Sequence, residues 1–142
     1  PEVSALWRMD RFAELLRESD AVVICAPLTR ETRGLFNLDA FRQMKRTAIL
    51  INVTRGAIVD DASLVQALRE KLIAAAGLDV TPVEPLPLGH PLWSMDNVVI
   101  TPHAAGASPR RLDRAVDLFC RNLVSIRQGG GLESVIDKRK GY

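Results

Sequence analysis

The stretch AILINVTRGAIVD, residues 48–60, constrains the fold of this chain more than any other segment. It opens with a mostly apolar run rich in β-branched residues, which predicts a strand buried on both faces, as in a parallel sheet. Arg55 and Gly56 follow this run directly. Open α/β sheets bind ligands at the carboxyl ends of their strands, so this arginine is a candidate site residue. A surface arginine in an ordinary turn is the alternative.

Three further apolar runs, at residues 21–25, 73–80 and 97–101, predict strands that alternate with helices. Helical patterns follow candidate capping residues at four places, which are Asp10, Asn37, Asp61 and Ser108 with Pro109. Strands that alternate with helices imply an α/β fold with a parallel sheet and right-handed crossovers.

Composition limits the possible partners. The net charge of +2 is too small to predict binding to nucleic acid, and no apolar run is long enough to span a membrane. Cys25 lies in an apolar run and Cys120 in a helical pattern, so we expect buried free thiols, which fit a reducing compartment. With no signal-peptide pattern at the N-terminus, we expect a cytoplasmic protein without membrane partners.

Every predicted strand has polar residues at or near its end. These groups are Pro27-Leu28-Thr29, Thr54-Arg55, Asp79 and His103. The carboxyl ends of parallel strands lie on one edge of a sheet, so the four groups should converge. This convergence favours a functional role for Arg55 over a place in an ordinary surface turn.

Four segments at these ends, APLTRET, NVTRG, LDVTPVEP and TPH, occur in an order that resembles the D-isomer-specific 2-hydroxyacid dehydrogenases, which are NAD(P)-dependent enzymes. The resemblance runs from about Leu15 to Tyr142. DVTPVEPLP followed by HPLW is most similar to the glyoxylate/hydroxypyruvate reductase branch. The resemblance implies the later half of a Rossmann-like doubly wound parallel sheet.

The resemblance also implies roles for individual residues. Arg55 would hold the substrate carboxylate and His103 would be the general acid and base, while Glu84 would orient the imidazole. Asp79 would accept a hydrogen bond from the nicotinamide carboxamide of NAD or NADP, and no metal is implied. The residues that would border the cofactor are Pro27, Thr32, Val53, Thr54, Arg55, Asp79, His103 and Gly106.

Simpler interpretations remain open for several residues. Glu84 could be a solvent-exposed acid in a proline-rich loop, and His103 could cap the turn after its strand. His90 matches a family segment without catalytic duty, so we interpret it as structural. The other residues that we assign to packing or to a helix start are Trp7, Trp93, Asp60 and Asp61.

The sequence lacks the G-x-G-x-x-G turn that opens a dinucleotide-binding domain. We therefore expect residues 1–128 to form a partial NAD(P)-binding domain, with its first half and nearly all of the substrate domain absent. Residues 129–142 would be a tail that returns to the substrate domain. We expect the 21–25 strand to expose an apolar edge, and the isolated chain to bind NAD(H) weakly or not at all and to be inactive.

Two classes of function are consistent with the sequence. The first is a dehydrogenase that acts on a small 2-keto or 2-hydroxy acid and forms a homodimer in its full-length state. The second is a dehydrogenase-derived protein that senses a cofactor or binds partners, like the corepressor members of the family. An inert truncated product is a third possibility. The sequence leaves open the choice between NAD and NADP and the identity of the acid.

Overall fold

The computed structural model describes residues 3–139 and contains a four-stranded parallel sheet. The strands lie in the order β1-β2-β3-β4, and each neighbouring pair is parallel. Their bounds are Ala21–Ile24 for β1, Ile49–Asn52 for β2, Ala75–Leu78 for β3 and Val98–Ile100 for β4. The predicted α/β fold with a parallel sheet is confirmed, although every strand is shorter than its apolar run.

Four α-helices follow the predicted alternation: α1 (Phe12–Glu18), α2 (Leu38–Gln43), α3 (Asp61–Arg69) and α4 (Arg111–Arg127). Short 3-10 turns cover Met9–Arg11, Gly56–Ile58 and Pro91–Ser94. Asn37 caps α2 as predicted, because its side chain accepts a hydrogen bond from the Ala40 amide.

Three predicted caps are wrong. One is Ser108 with Pro109, because α4 begins at Arg111 after Arg110, without a side-chain cap. The cap of α3 is Asp60, whose side chain accepts from the Ser63 amide, and Asp61 is the first helical residue. Asp10 lies inside a 3-10 turn, and α1 begins without a side-chain cap. Two adjacent aspartates are equally suited to cap a helix. The sequence therefore does not show which of them has the backbone geometry of the capping position.

Helices α1, α2 and α3 cover one face of the sheet. Leu16, Phe41 and Leu64 from these helices pack in one core with buried strand residues such as Leu50 and Leu78. The strand side chains on the other face include Val23, Ile49 and Val99, which are 52%, 41% and 67% exposed. The prediction that the second strand is buried on both faces is therefore wrong for this chain.

The prediction of buried thiols is also wrong, because Cys25 and Cys120 are free and exposed. Cys25 follows β1 and continues the exposed alternation of Ala21 and Val23. Cys120 lies on α4, a helix in which no residue is buried.

The chain divides into two compact units, of which the first ends at His103 and the second begins at Ala104. In the second unit the tail folds back on α4, where the Asn122 side chain accepts from the Glu133 amide at 2.8 Å and Ser125 donates to the Gly131 carbonyl at 2.6 Å. Apolar residues that recur at helical spacing along α4 are 47–73% exposed: Leu112, Val116, Phe119, Leu123 and Ile126.

The predicted domain boundary between residues 128 and 129 stays a prediction. Residues 1–2 and 140–142, at the ends of the two predicted segments, lie outside the described residues. Among the described helices, none combines the length and the apolar character that crossing a membrane requires.

Candidate active site

The turn that carries Arg55 is fixed by Asn52, a buried amide at the end of β2. Its Oδ1 accepts from the Thr54 amide at 3.1 Å, and its Nδ2 donates to the Arg55 carbonyl at 3.0 Å. The exposed guanidinium of Arg55 donates to the Thr54 carbonyl at 2.6 Å through Nη1. Sequence reasoning missed Asn52, although an amide that interrupts an apolar run is a usable signal, because a buried amide needs partners.

Gly56 brings this turn against the start of the loop after β3, which we call the proline loop (residues 81–93). A Cβ atom at Gly56 would lie 2.1 Å from the carbonyl carbon and oxygen of Thr81 and 2.4 Å from the Pro82 nitrogen. Only a residue without a side chain permits this approach of two backbones. The contact therefore places the Arg55 turn beside the loop that carries Glu84.

Glu84 and His103 form a hydrogen-bonded pair at the carboxyl edge of the sheet. The Nδ1 atom of His103 lies 2.8 Å from Oε2 of Glu84, and Oε1 of Glu84 accepts from the Thr81 amide at 3.1 Å. The hydrogen bond from His103 lowers the pKa of Glu84 below its usual value, with smaller contributions in the same direction from the Thr81 amide and from the charges of His103 and Arg55. Arg55 is thus close enough to act on this pair.

The Glu84 carboxylate also selects the tautomer of His103. An ionised carboxylate only accepts hydrogen bonds, so Nδ1 of the imidazole must carry the proton. The Nε2 atom is then left to accept a proton when the ring is neutral and to donate one when it is charged. His103 has a backbone φ of +54°, in the left-handed region that non-glycine residues seldom adopt. Such backbone outliers are concentrated at functional sites.

A cavity of about 310 Å³ adjoins this pair. Its lining residues are Asp79, Thr81, Glu84, Pro85, Leu86, Trp93, Ile100, Thr101, Pro102 and His103. Asp79 is 7% exposed, and its carboxylate accepts from the Thr101 hydroxyl. Trp93, which we assigned to packing, is 53% exposed on the cavity wall, and its indole nitrogen donates to the Pro87 carbonyl.

The structure places most of the predicted cofactor-binding residues at the ends of β1 and β2. The Thr32 hydroxyl donates to the Pro27 carbonyl at 2.7 Å and accepts from the Thr29 amide at 2.7 Å, which closes the loop after β1. Val53 and Thr54 directly follow β2 and are half-buried. Gly106 belongs to the second unit, where an added Cβ would meet no described atom within 4 Å, and its role stays a prediction.

The remaining candidates make contacts with residues other than Glu84 and His103. Trp7 stacks under the Arg11 guanidinium, whose carbon lies 4.4 Å from the ring centroid. His90 is largely buried and contacts Asp61 at the start of α3, 2.8 Å away. The structural interpretation of His90 agrees with this contact.

A sequence profile described as "D-isomer specific 2-hydroxyacid dehydrogenase, NAD binding domain" matches residues 2–105. The chain belongs to this dehydrogenase family. The resemblance predicted from the four strand-end motifs is thus confirmed, and the match covers Arg55, Asp79, Glu84 and His103.

One relative is a glyoxylate reductase of Thermofilum pendens. It is 47% identical to this chain over 124 residues, which make up 87% of this chain and 37% of the relative. A glyoxylate reductase of Aeropyrum pernix is 52% identical over 116 residues, or 82% of this chain and 35% of the relative. These names agree with the predicted similarity to the glyoxylate/hydroxypyruvate reductase branch. The chain spans little more than a third of the length of these curated relatives.

A solved D-isomer specific 2-hydroxyacid dehydrogenase of Xanthobacter autotrophicus, in complex with NADPH and MES, superposes with a TM-score of 0.87 at 44% identity. The alignment covers 94% of this chain and 55% of that one. An NADPH-dependent glyoxylate/hydroxypyruvate reductase of Sinorhizobium meliloti, in complex with NADP and sulfate, gives a TM-score of 0.88 at 30% identity, with 96% and 44% covered. The Rossmann-like fold is therefore shared with these dehydrogenases.

Proposed function

We propose that this chain carries the proton-transfer and nicotinamide-facing part of an NAD(P)-dependent 2-hydroxyacid dehydrogenase that reduces a small 2-oxo acid. The observation that supports this proposal best is the hydrogen bond between His103 Nδ1 and Glu84 Oε2, formed within the electrostatic reach of Arg55. A cation for the substrate carboxylate and an oriented imidazole for the carbonyl oxygen are the two groups that this reduction requires from the protein.

Arg55 would bind the carboxylate of the 2-oxo acid. Its guanidinium is exposed, and only Nη1 is used in the bond to the Thr54 carbonyl, so further donors can face a substrate. A planar guanidinium can bind a carboxylate through two parallel hydrogen bonds, which fixes the orientation of the neighbouring carbonyl.

His103 would protonate the carbonyl oxygen through Nε2 as the alcohol forms. Glu84 accepts the hydrogen bond from Nδ1–H throughout. It also stabilises the charged imidazolium that is present before the proton is transferred. In the direction of oxidation, the neutral ring would accept the hydroxyl proton at the same Nε2 atom.

The residues present fit the nicotinamide end of the cofactor. The buried Asp79 carboxylate lines the same cavity as His103, and a carboxylate is a suitable acceptor for the amide group of nicotinamide. When bound, the nicotinamide supplies the hydride, while the protein supplies orientation and charge. Pro27, Thr32 and Thr54 would border the ring and its ribose.

The relatives' names favour glyoxylate or hydroxypyruvate as the substrate. The expected homodimer and cytoplasmic location stay predictions. A role in sensing cofactor or binding a corepressor partner, rather than catalysis, would leave the complete protein able to bind NAD(P)H but unable to oxidise it.

The test is an assay of NADH and NADPH oxidation by the complete protein that contains this segment, with glyoxylate and hydroxypyruvate as substrates. We expect turnover with at least one pair of cofactor and acid, and loss of turnover in Arg55→Ala. Cofactor binding without turnover on any 2-oxo acid would favour the sensing role instead.

A further inference from the structure

The proline loop is attached at both ends to the segment that carries Arg55, residues 55–61, which we call the anchor segment. At the start of the loop, Gly56 of the anchor segment packs against the Thr81 backbone. At its far end, Nε2 of His90 lies 2.8 Å from Oδ2 of Asp61. The two attachments flank Glu84 in the sequence.

The hydrogen bonds of His90 determine which nitrogen carries its proton. Its Nδ1 accepts from the Leu92 amide at 3.3 Å, so Nε2 carries the hydrogen and donates it to Asp61. The His90 side chain is only 15% exposed, whereas its hydrogen-bond partner Asp61 is 36% exposed. The bond therefore has a defined direction and is partly shielded from water.

The attachment at His90 extends along the loop towards Glu84. The His90 amide donates to the Pro87 carbonyl at 2.9 Å, and the Trp93 indole donates to the same carbonyl at 3.0 Å. Leu86 is buried next to Pro87 and adds apolar contacts with the core. Displacement of His90 would thus be transmitted to the residues that follow Glu84.

Asp61 shows a feature that a simple helix start does not need. Its Oδ1 atom is buried and has no hydrogen-bond partner among the described residues. The adjacent Asp60 already caps α3 through the Ser63 amide. The Oδ2 atom of Asp61 is bonded to His90, while a buried Oδ1 without a partner lowers the stability of the folded state, so stability alone does not explain this carboxylate.

We propose that Asp61 and His90 are positioning residues, which hold the proline loop on the anchor segment so that Glu84 faces Nδ1 of His103 beside Arg55. The description of the positioned groups as catalytic rests on the proposed function. The coupling between the two histidines does not, and it can be measured in this chain without substrate or cofactor.

The chain has two histidines, so the side-chain ¹⁵N spectrum of His103 can be assigned by removing His90. The measurement is the tautomer of neutral His103, at a pH above the end of the titration that the ¹⁵N spectra of each variant show. We expect the Nδ1–H tautomer in the unmodified chain, held by Glu84. In His90→Ala and in Asp61→Ala, we expect the Nε2–H tautomer to increase at least twofold.

Matched variants separate positioning from general loss of structure. His90→Gln places an amide donor near the position of Nε2 and should restore the tautomer in part, whereas His90→Asn should not. Asp39→Ala breaks an exposed ion pair with Arg42 on α2 and should leave His103 unchanged. The double variant His90→Ala/Asp61→Ala should show no more change than either single variant.

An unchanged Nδ1–H tautomer in folded His90→Ala or Asp61→Ala would overturn the proposal. If neither alanine variant folds, the comparison of His90→Gln with His90→Asn decides, and equal tautomer populations in these two would overturn it. Failure of the proposed function would appear separately, as an inactive complete protein whose His103 tautomer still responds to His90.

Discussion

At the scale of single residues, the site depends on which nitrogen of His103 carries the proton. Glu84 accepts from Nδ1 of His103, which leaves Nε2 as the atom that can exchange a proton with a substrate. Arg55 contributes charge from the neighbouring strand end. These three side chains come from separate segments, so each can be changed without removing the others.

Arg55→Lys in the complete enzyme should lower kcat/KM for glyoxylate by about 10- to 100-fold. Lysine keeps the charge but loses the paired donors, and a hydrogen bond between charged groups contributes about 1.5–3 kcal/mol. Steady-state kinetics provide the measurement, with Arg42→Lys on the exposed side of α2 as the control. Equal kcat/KM values in Arg55→Lys and the unmodified enzyme would exclude a carboxylate-binding role.

Glu84→Gln should reduce stability in a pH-dependent way. The pKa of Glu84 is lowered in the folded chain, so its contribution is fully present above the ordinary carboxyl pKa of about 4.3 and is lost as the pH falls through the lower folded value. The difference in Tm between the unmodified chain and Glu84→Gln should therefore narrow as the pH is lowered from about 5 to about 3. A difference that widens over this range would contradict the assignment.

At the scale of elements, the turns after β2 and β3 form one structural unit through the Gly56 contact. A side chain at this position would meet backbone atoms, which cannot move aside as the end of a flexible side chain can. The packing of these two turns keeps the Arg55 turn next to the Glu84 loop.

Gly56→Ala should lower the free energy of unfolding by about 1–3 kcal/mol, the usual cost of overpacking, and should disturb the His103–Glu84 hydrogen bond. Denaturant titration gives the first quantity and the His103 ¹⁵N spectrum the second. Gly89→Ala is the matched control in the same loop, since an added Cβ there meets nothing within 4 Å among the described residues. Equal destabilisation by both substitutions would show that the close contact is unimportant.

Local signals were sufficient to predict the elements but not their contacts. The Asn37 cap and the four parallel strands follow from side chains within a few residues of each other in sequence. Gly56 and Thr81 lie in contact, although no periodic sequence pattern relates their positions. Neither residue type indicates this contact in the sequence. The family motifs indicated the Glu84–His103 contact that the structure shows, while the roles of Arg55, Glu84 and His103 stay predictions. Asn52 carried only a weak compositional signal.

At the scale of the whole molecule, the uncovered sheet face explains why burial was predicted wrongly. Ile49 and Val23 are apolar, as expected of strands covered on both sides, but the helices α1–α3 cover only the opposite face. The apolar residues of a strand indicate only that its side chains favour burial. Whether a covering layer is present depends on segments far away in the chain.

The isolated 142-residue chain should bind NADH much more weakly than the complete enzyme, because its sequence has no G-x-G-x-x-G turn to bind the pyrophosphate. Fluorescence titration of both proteins with NADH would measure the difference, with a glyoxylate-free buffer to prevent turnover. Equal dissociation constants would show that residues 1–142 already contain the determinants of cofactor affinity.

The central claim is that His103, oriented by Glu84, transfers the proton in the reduction of a 2-oxo acid. The most direct test is the kcat of the complete enzyme with glyoxylate and its preferred nicotinamide cofactor, compared between the unmodified protein and His103→Gln. We expect kcat to fall about 10²- to 10⁴-fold, the usual contribution of general acid–base catalysis, with little change in cofactor binding. A kcat within about twofold of the unmodified value would contradict it.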